Sequence, residues 1–273
     1  MKKWAWMAMT AAAFAAPCAN ADFIGFEPPT YTTTGGPGGT AQITGQDGWG
    51  DVTSGGAGNA GVITTDQAYA GVQSFQTSEV ADDGGQSKYG RSGFTGINGQ
   101  TGASVDFYMK MASNNLYHSN LRYFFGDGVG QNNSGAAVGL YNTTASPGHD
   151  YIQYYDGETP IESTATIAAN VWYHYTLTFD FSTPGAPTYD LNVQSIGLSS
   201  GDTGYVDLSV TDLAFRNTAL TDITGVLIVS GDSHASQTNY YYTDNLSFNS
   251  VPEPGMLSLM GLGGLMVILR RRR

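Results

Sequence analysis

Val171-Trp172-Tyr173-His174-Tyr175-Thr176-Leu177-Thr178-Phe179 reads as a single β-strand, and its reading decides the fold of the chain. The odd positions form an unbroken apolar stripe and the even ones are Trp, His, Thr and Thr, the period of two that a strand shows when one face lies on a core. The same alternation recurs on both sides. Val105, Phe107, Met109 and Met111 are separated by Asp106, Tyr108 and Lys110. Tyr189, Leu191 and Val193 follow a turn at residues 182–187, and Val206, Leu208 and Val210 repeat the pattern, so these two segments are expected to pair as consecutive antiparallel strands. Val226 to Val229 is a short continuous apolar run, the mark of a buried strand, and Leu246 and Phe248 close the pattern. Residues 23–27, 74–77, 121–125, 136–141 and 151–155 are further candidates. Sustained helical period is almost absent. Ten to twelve short strands with Gly and Asp turns predict an all-β chain, one antiparallel β-sandwich of the jelly-roll kind. Residues 35–61 are rich in glycine, with Gly35-Gly36-Pro37-Gly38-Gly39 and Gly55-Gly56-Ala57-Gly58, and read as a loop across one end of the sandwich pinned by Trp49.

The two ends read as addresses. Lys2 and Lys3 precede an apolar stretch, and Ala19-Asn20-Ala21 offers signal peptidase a small-x-small site, with cleavage expected before Asp22. Residues 1–21 are therefore a signal peptide with a helical apolar segment. Cys18 does not make a lipoprotein signal, because Phe14-Ala15-Ala16-Pro17 lacks the required leucine and places proline beside the cysteine. Once residues 1–21 are removed no cysteine remains, which excludes disulfides, cysteine-ligated zinc and a thiol nucleophile. At the other end Pro252-Glu253-Pro254 breaks secondary structure, an apolar run at residues 256–269 would rise about 21 Å as a helix, and Arg270, Arg271, Arg272 and Arg273 follow as a cytoplasmic stop. Alone, the run is short for a hydrocarbon core of about 30 Å. The domain proper spans 22–250 and the tail 251–273.

Pro-Glu-Pro, an apolar helix and a terminal arginine cluster, in that order, closely resemble the PEP-CTERM sorting signal of Gram-negative bacteria. The resemblance implies export across the inner membrane, a transient membrane tether, and processing near the motif by an exosortase, a membrane-embedded cysteine protease, with exopolysaccharide in the surroundings. The cell surface or the extracellular matrix is the destination it implies.

Charge narrows the partners. Of the 23 acidic side chains only Glu253 lies outside residues 22–251, whereas six of the 11 basic ones do, leaving a net charge of −17 on the domain. Nucleic acid is excluded, because binding it depends on neutralising phosphate with Lys and Arg.

The order of Gly25-Phe26-Glu27, Ala70-Gly71-Val72-Gln73-Ser74, the Trp172 strand and Tyr242-Thr243-Asp244-Asn245-Leu246 resembles concanavalin A-like jelly rolls and related carbohydrate-binding modules. That resemblance implies one structural calcium shared by an acid at the end of the first strand and an Asp in the last, here Glu27 and Asp244. Asp244 shares parity with Leu246 and Phe248 and is expected to point inward, which is costly for a carboxylate unless it is paired or metal-bound.

Catalytic constellations are missing. The chain has no Gly-x-Ser-x-Gly, His-Glu-x-x-His or P-loop, and no pair of glutamates on one strand. Glu158 and Glu162 flank Pro160 in a segment that reads as a solvated loop. A polysaccharide lyase would need a His or Tyr base beside an Arg or Lys. Flat rings that stack on sugars are the remaining functional material, and Tyr151, Tyr154, Tyr155, Trp172 and Tyr241 are the candidates, with Tyr241 expected to face outward. The reading is an exported, non-enzymatic protein of the surface or matrix, structural or glycan-associated; the alternative is a secreted polysaccharide-degrading enzyme, glycoside hydrolase or lyase, on the same sandwich.

Overall fold

The computed structural model describes residues 21–34, 42–51, 61–79, 86–97, 101–112, 120–128, 130–141, 150–231 and 239–250. Their strands in chain order are β1 (Ala21–Ile24), β2 (Gly50–Asp51), β3 (Val62–Thr64), β4 (Ser74–Glu79), β5 (Ser87–Ile97), β6 (Ser104–Met111), β7 (Asn120–Gly126), β8 (Ser134–Tyr141), β9 (Tyr151–Asp156), β10 (Thr159–Thr166), β11 (Trp172–Asp180), β12 (Thr188–Ser195), β13 (Asp207–Ala214), β14 (Ile223–Ser230) and β15 (Asn239–Asn249). They form two antiparallel sheets. The larger runs β13-β12-β11-β6-β15-β4-β3, with β1 added beside β15; the smaller runs β10-β9-β8-β7-β14-β5-β2.

The Trp172 strand behaves as its sequence demands. Tyr173, Tyr175, Leu177 and Phe179 are buried while Trp172, His174, Thr176 and Thr178 are not. Register sets Tyr175 opposite Phe107 on β6 and Val193 on β12, and the Tyr175 and Phe107 rings stack with centroids 4.9 Å apart. Phe107 also touches Tyr123 of the facing sheet at 4.3 Å. Tyr123 Oη and Thr243 Oγ1 of β15 are 2.6 Å apart, so the hydroxyl that would otherwise be stranded between the sheets has a partner. Stacked aromatic pairs contribute about 0.5–1.5 kcal/mol each beyond the area they bury, and they run across the interior from Phe94 on Phe248 to Phe179 against Phe215.

Trp49 is the pin that the glycine-rich stretch needs. Its ring lies among Phe26 and Phe75, and its Nε1 donates to Tyr31 Oη at 3.1 Å. Residues 42–51 are described around it; Gly35–Gly39 and Gly55–Gly58 lie outside the described residues, as do the terminal segments with Pro252, Glu253, Pro254 and Arg270 to Arg273. Among the described residues no helix is long and apolar enough to cross a membrane.

Three expectations need correction. Four strands were not legible. β2 and β3 are too short to show alternation, β5 is broken by Gly90, Gly93 and Gly96, and β10 carries Pro160. A proline survives in β10 because that strand is the sheet edge, where a missing N–H need not face a neighbour; Glu158 in the preceding turn and Glu162 within β10 are both exposed. The first strand ends at Ile24, since Phe26 adopts φ 56°, so Glu27 lies beyond it. Most consequential is β15. Asn245 has φ 49° and the pairing with β6 shifts between Asp244 and Ser247. This bulge flips the side-chain alternation. Leu246 and Phe248 remain inside, but upstream the inward set is Tyr241 and Thr243, while Asp244 aligns with Tyr108 and Tyr242 with Lys110 on the outer face.

Candidate functional site

Asp244 is fully buried although it stands on the outer side of its sheet, because the segment before β4 lies over it. Its Oδ2 accepts the N–H groups of Tyr69 at 2.8 Å and Ala70 at 3.0 Å, and its Oδ1 accepts that of Asn245 at 2.8 Å. Glu27 grips the same segment two residues later, its Oε1 accepting from Val72 at 2.8 Å and Gln73 at 3.0 Å. Gly71 sits between these donors at φ 70°, with Glu27 Oε1 where a Cβ would stand; any side chain would both strain the backbone and evict the carboxylate. The two acids named from the sequence and the Ala70-Gly71-Val72-Gln73 segment are thus one device, a clamp on a strap. Burial, and secondarily the nearby charge of Glu27, push the Asp244 carboxyl up to about 6, against the pull of three amides. Both Asp244 oxygens and Glu27 Oε1 are thus engaged by backbone N–H groups. Two carboxylates repel each other, and no hydrogen bond among the described residues reaches Glu27 Oε2. Glu27 also lines a cleft with Pro28 and Asp47 that opens to solvent. No group of three or more acidic, histidine or cysteine ligands occurs among the described residues, so further ligands would be backbone oxygens or water.

The strap carries Tyr69 and Gln67 onto the outer face of the larger sheet. Tyr69 stacks on Tyr108 at 3.7 Å, Tyr108 on His174 at 4.5 Å, and Tyr69 meets Trp172 edge-on at 5.9 Å. Lys110 Nζ donates to Gln67 Oε1 at 2.7 Å and lies 5.8 Å from the Trp172 ring. His174 Nε2 is 3.2 Å from Asp106 Oδ1, which also accepts from Thr176. Burial would push the Asp106 carboxyl up, but the His174 and Thr176 hydrogen bonds outweigh it and hold that carboxyl below its usual range. A His, a Tyr and a Lys therefore meet here. Tyr108 makes a poor base, however, since burial and its Tyr69 partner push its hydroxyl up to about 12. The rings are spent on one another, and the Lys on the strap.

The outer face of the smaller sheet is different. On β7, Leu121, Tyr123 and Phe125 enter the core, so Asn120, Arg122 and Phe124 point the other way. Register extends the Arg122 row through Gly139 to Gln153 and Glu162 on one side and through Val229 to Lys88 on the other. Gly139 is glycine because a Cβ there would strike the Leu121 carbonyl. Phe124, Ala137, Tyr155, Leu227 and Val229 form a small apolar floor separate from the main core. Arg122 and Arg216 both lie over the Phe124 ring, at 5.8 and 5.3 Å from its centroid, and Arg216 is 4.8 Å from that of Tyr155. Arg122 Nη1 donates to Tyr155 Oη at 3.2 Å, and its Nε to Asn120 Oδ1 at 2.9 Å. Arg216 Nη1 donates to Gln131 O and Ser134 Oγ, both at 2.8 Å.

The proposed sugar-stacking rings are not brought together. Tyr151 and Tyr155 share the outer face of β9 with Gln153 between them. Tyr154 points inward and packs against the main core, and Trp172 belongs to the opposite sheet. Tyr241 is wholly buried and Tyr240, 43% exposed, is the outward ring. Parity counted back from Leu246 and Phe248 is reversed at the Asn245 bulge, which turns Tyr241 inward. Arg122 and Phe124 were open to discovery in the alternation of β7; Arg216, which arrives from a loop after β13, gave no signal. His174 is described, whereas His118, His149 and His234 lie outside the described residues.

Residues 250–273 match the PEP-CTERM protein-sorting motif. The motif marks the chain as an exported protein that an exosortase sorts to the cell surface. No curated protein matches the chain by sequence. Among solved structures, it is similar to an endo-β-1,4-glucuronan lyase from the fungus Trichoderma reesei, at 9% identity over 77% of this chain and 93% of the other, with a TM-score of 0.49. The CBM2 module of the evolved Dit of Lactobacillus casei BL23 phage J-1 gives 11%, 77%, 93% and 0.47, and lectin II from Ulex europaeus 10%, 77%, 96% and 0.44. At such values the two-sheet architecture rests on the strand pairing itself.

Proposed function

We propose that the exported sandwich is a non-enzymatic binder of extracellular polysaccharide, and that the glycan lies along the outer face of the smaller sheet. The observation that carries this reading is the line Tyr151-Gln153-Tyr155 on β9, running beside a floor lowered by Gly139 and Ala137 and fenced by Arg122. Gln153 is 3% exposed with its Oε1 unpartnered among the described residues. Buried polar atoms are seldom left so, and a sugar hydroxyl is a donor of the right size. Because Arg216 covers the Tyr155 ring, recognition runs through hydrogen bonds more than through stacking. Gln153→Leu, which removes the acceptor at nearly constant volume, should weaken retention by an exopolysaccharide column about tenfold with the melting temperature held within a few degrees. Retention equal to the wild type would sink the assignment.

A second reading has one specific observation in its favour: the Tyr155 hydroxyl at 3.2 Å from Arg122 is a tyrosine beside a guanidinium, the pair a lyase would use. It predicts the ultraviolet absorbance of unsaturated uronate during incubation with a polyuronate, and that absorbance should depend on Tyr155.

Calcium between Glu27 and Asp244 belongs to the proposal, on the strength of two carboxylates near enough for the charge of Glu27 to raise the Asp244 carboxyl. Sorting gives its own test. Replacing Pro252-Glu253-Pro254 by alanines should leave the precursor in the membrane fraction with Arg270 to Arg273 attached. Intact mass distinguishes that from a surface species ending near Pro252, and normal release of the altered chain would remove exosortase processing through this motif.

A further inference from the structure

We infer that the face carrying Arg122 and Arg216 recognises an anionic glycan, whose carboxylate or sulfate is seated by these two guanidiniums over Phe124. This rests on the polysaccharide-binding reading above and adds the substrate class.

The domain has five basic side chains against a net charge of −17. Three of the five converge here: Arg122 and Lys88 in one transverse row, and Arg216 over the adjoining floor. Two other cationic side chains are seen with a carboxylate, Arg91 with Asp47 and His174 with Asp106. Among the described residues neither Arg122 nor Arg216 forms an ion pair with a carboxylate. In so acidic a chain that is a costly omission, since any of a score of acids could have supplied one. Instead each guanidinium is oriented by neutral groups: Arg122 by Asn120 and the Tyr155 hydroxyl, Arg216 by the Gln131 carbonyl and the Ser134 hydroxyl. Arg216 Nε is buried with no hydrogen-bond partner among the described residues. Neutral acceptors fix geometry and leave the charge uncompensated, which suits a planar anion approaching two forks. Phe124 below both supports them by cation–π contact and keeps water from one side. The acid in the row, Glu162, stands exposed on the sheet edge, where repulsion would set one limit to the track.

The net charge also rules out a trivial explanation. A chain at −17 acts as a cation exchanger towards nothing anionic; distant acids are screened beyond about 8 Å in physiological salt, so retention of a polyanion reports the local arginines.

The test uses the exported protein in affinity electrophoresis with polygalacturonate, with the same polymer after reduction of its carboxyl groups, and with dextran sulfate beside dextran. Wild type should bind polygalacturonate or dextran sulfate at least tenfold more tightly than the matched neutral polymer. Which polyanion is preferred separates carboxylate from sulfate. Arg122→Gln and Arg216→Gln should each remove most of that preference, and Arg122→Lys, which keeps the charge and loses the fork, should keep part of it. Arg122→Lys also guards against misfolding, as does the wild-type ratio itself, which needs no variant. Equal binding of charged and neutral polymers, unaffected by either substitution, overturns the anionic class and leaves the glycan reading standing. Binding of none of the four polymers removes both.

Discussion

Asp244→Ala should cost about 2–4 kcal/mol at pH 7, a loss visible as a melting temperature lowered by several degrees. Three backbone N–H groups lose their acceptor, and each unpaired donor costs about 1–3 kcal/mol; relief of an unfavourable buried charge keeps the total towards the lower end. The sign of the pH dependence follows from the same carboxyl. Its folded value, about 6, lies above the ordinary 3.8, so the native state binds the proton more tightly than the unfolded chain. The contribution is fully present below about pH 4 and is lost as pH rises towards 6, a swing of about 3 kcal/mol. Chemical unfolding in chelator should therefore show wild type gaining stability from pH 6 to pH 4 relative to Asp244→Asn, which cannot titrate. Added calcium should raise wild-type stability, by about 2.7 kcal/mol at a hundred times Kd, flatten that slope, and leave the Asn variant unmoved. A wild-type curve indifferent to calcium, chelator and acid alike would dismiss both the ion and the strained carboxyl.

Tyr241→Ala is the second large effect, a loss of about 3–5 kcal/mol with no direct part in ligand retention. The ring is completely buried in the larger sheet, opposite Thr77 and Met111, and truncating a large core aromatic costs that much through lost contacts and the cavity left. Tyr240→Ala, one residue away and 43% exposed, should fall within about 0.5 kcal/mol of wild type. Equilibrium denaturation of the two variants side by side is sufficient. Similar losses in both would mean that the bulge at Asn245 has been misplaced by one residue.

The contrast between those neighbours shows what a period of two can and cannot report. Val105 to Met111, Trp172 to Phe179 and Tyr189 to Val193 declared their inner faces because each runs unbroken between two partners. In β15 the same count was carried across a left-handed Asn245, and every position upstream was assigned to the wrong side. Nothing in Tyr242-Thr243-Asp244-Asn245-Leu246 announces the extra residue, although Asn is among the few non-glycine residues that tolerate such a backbone. The acids fared better than their orientation. Glu27 and Asp244 were named as a pair, and they do converge, but on the amides of the strap, a long-range contact no local pattern encodes. The arginine face was legible only in half, from the alternation in β7, because Arg216 is delivered by a loop and its partners lie 85 and 82 residues away in the chain.

Strand order has a consequence for the timing of export. β15 lies inside the larger sheet, between β6 on one side and β4 with β1 on the other, and it is the last in chain order of the described strands. Until residues 239–249 have crossed the membrane, that sheet exists as two unjoined halves, each with an open edge. Residues 250–273, which match the sorting motif, follow β15 directly. The strand that joins those halves therefore borders the sorting motif, so a cut that reached back into residues 239–249 would reopen both edges.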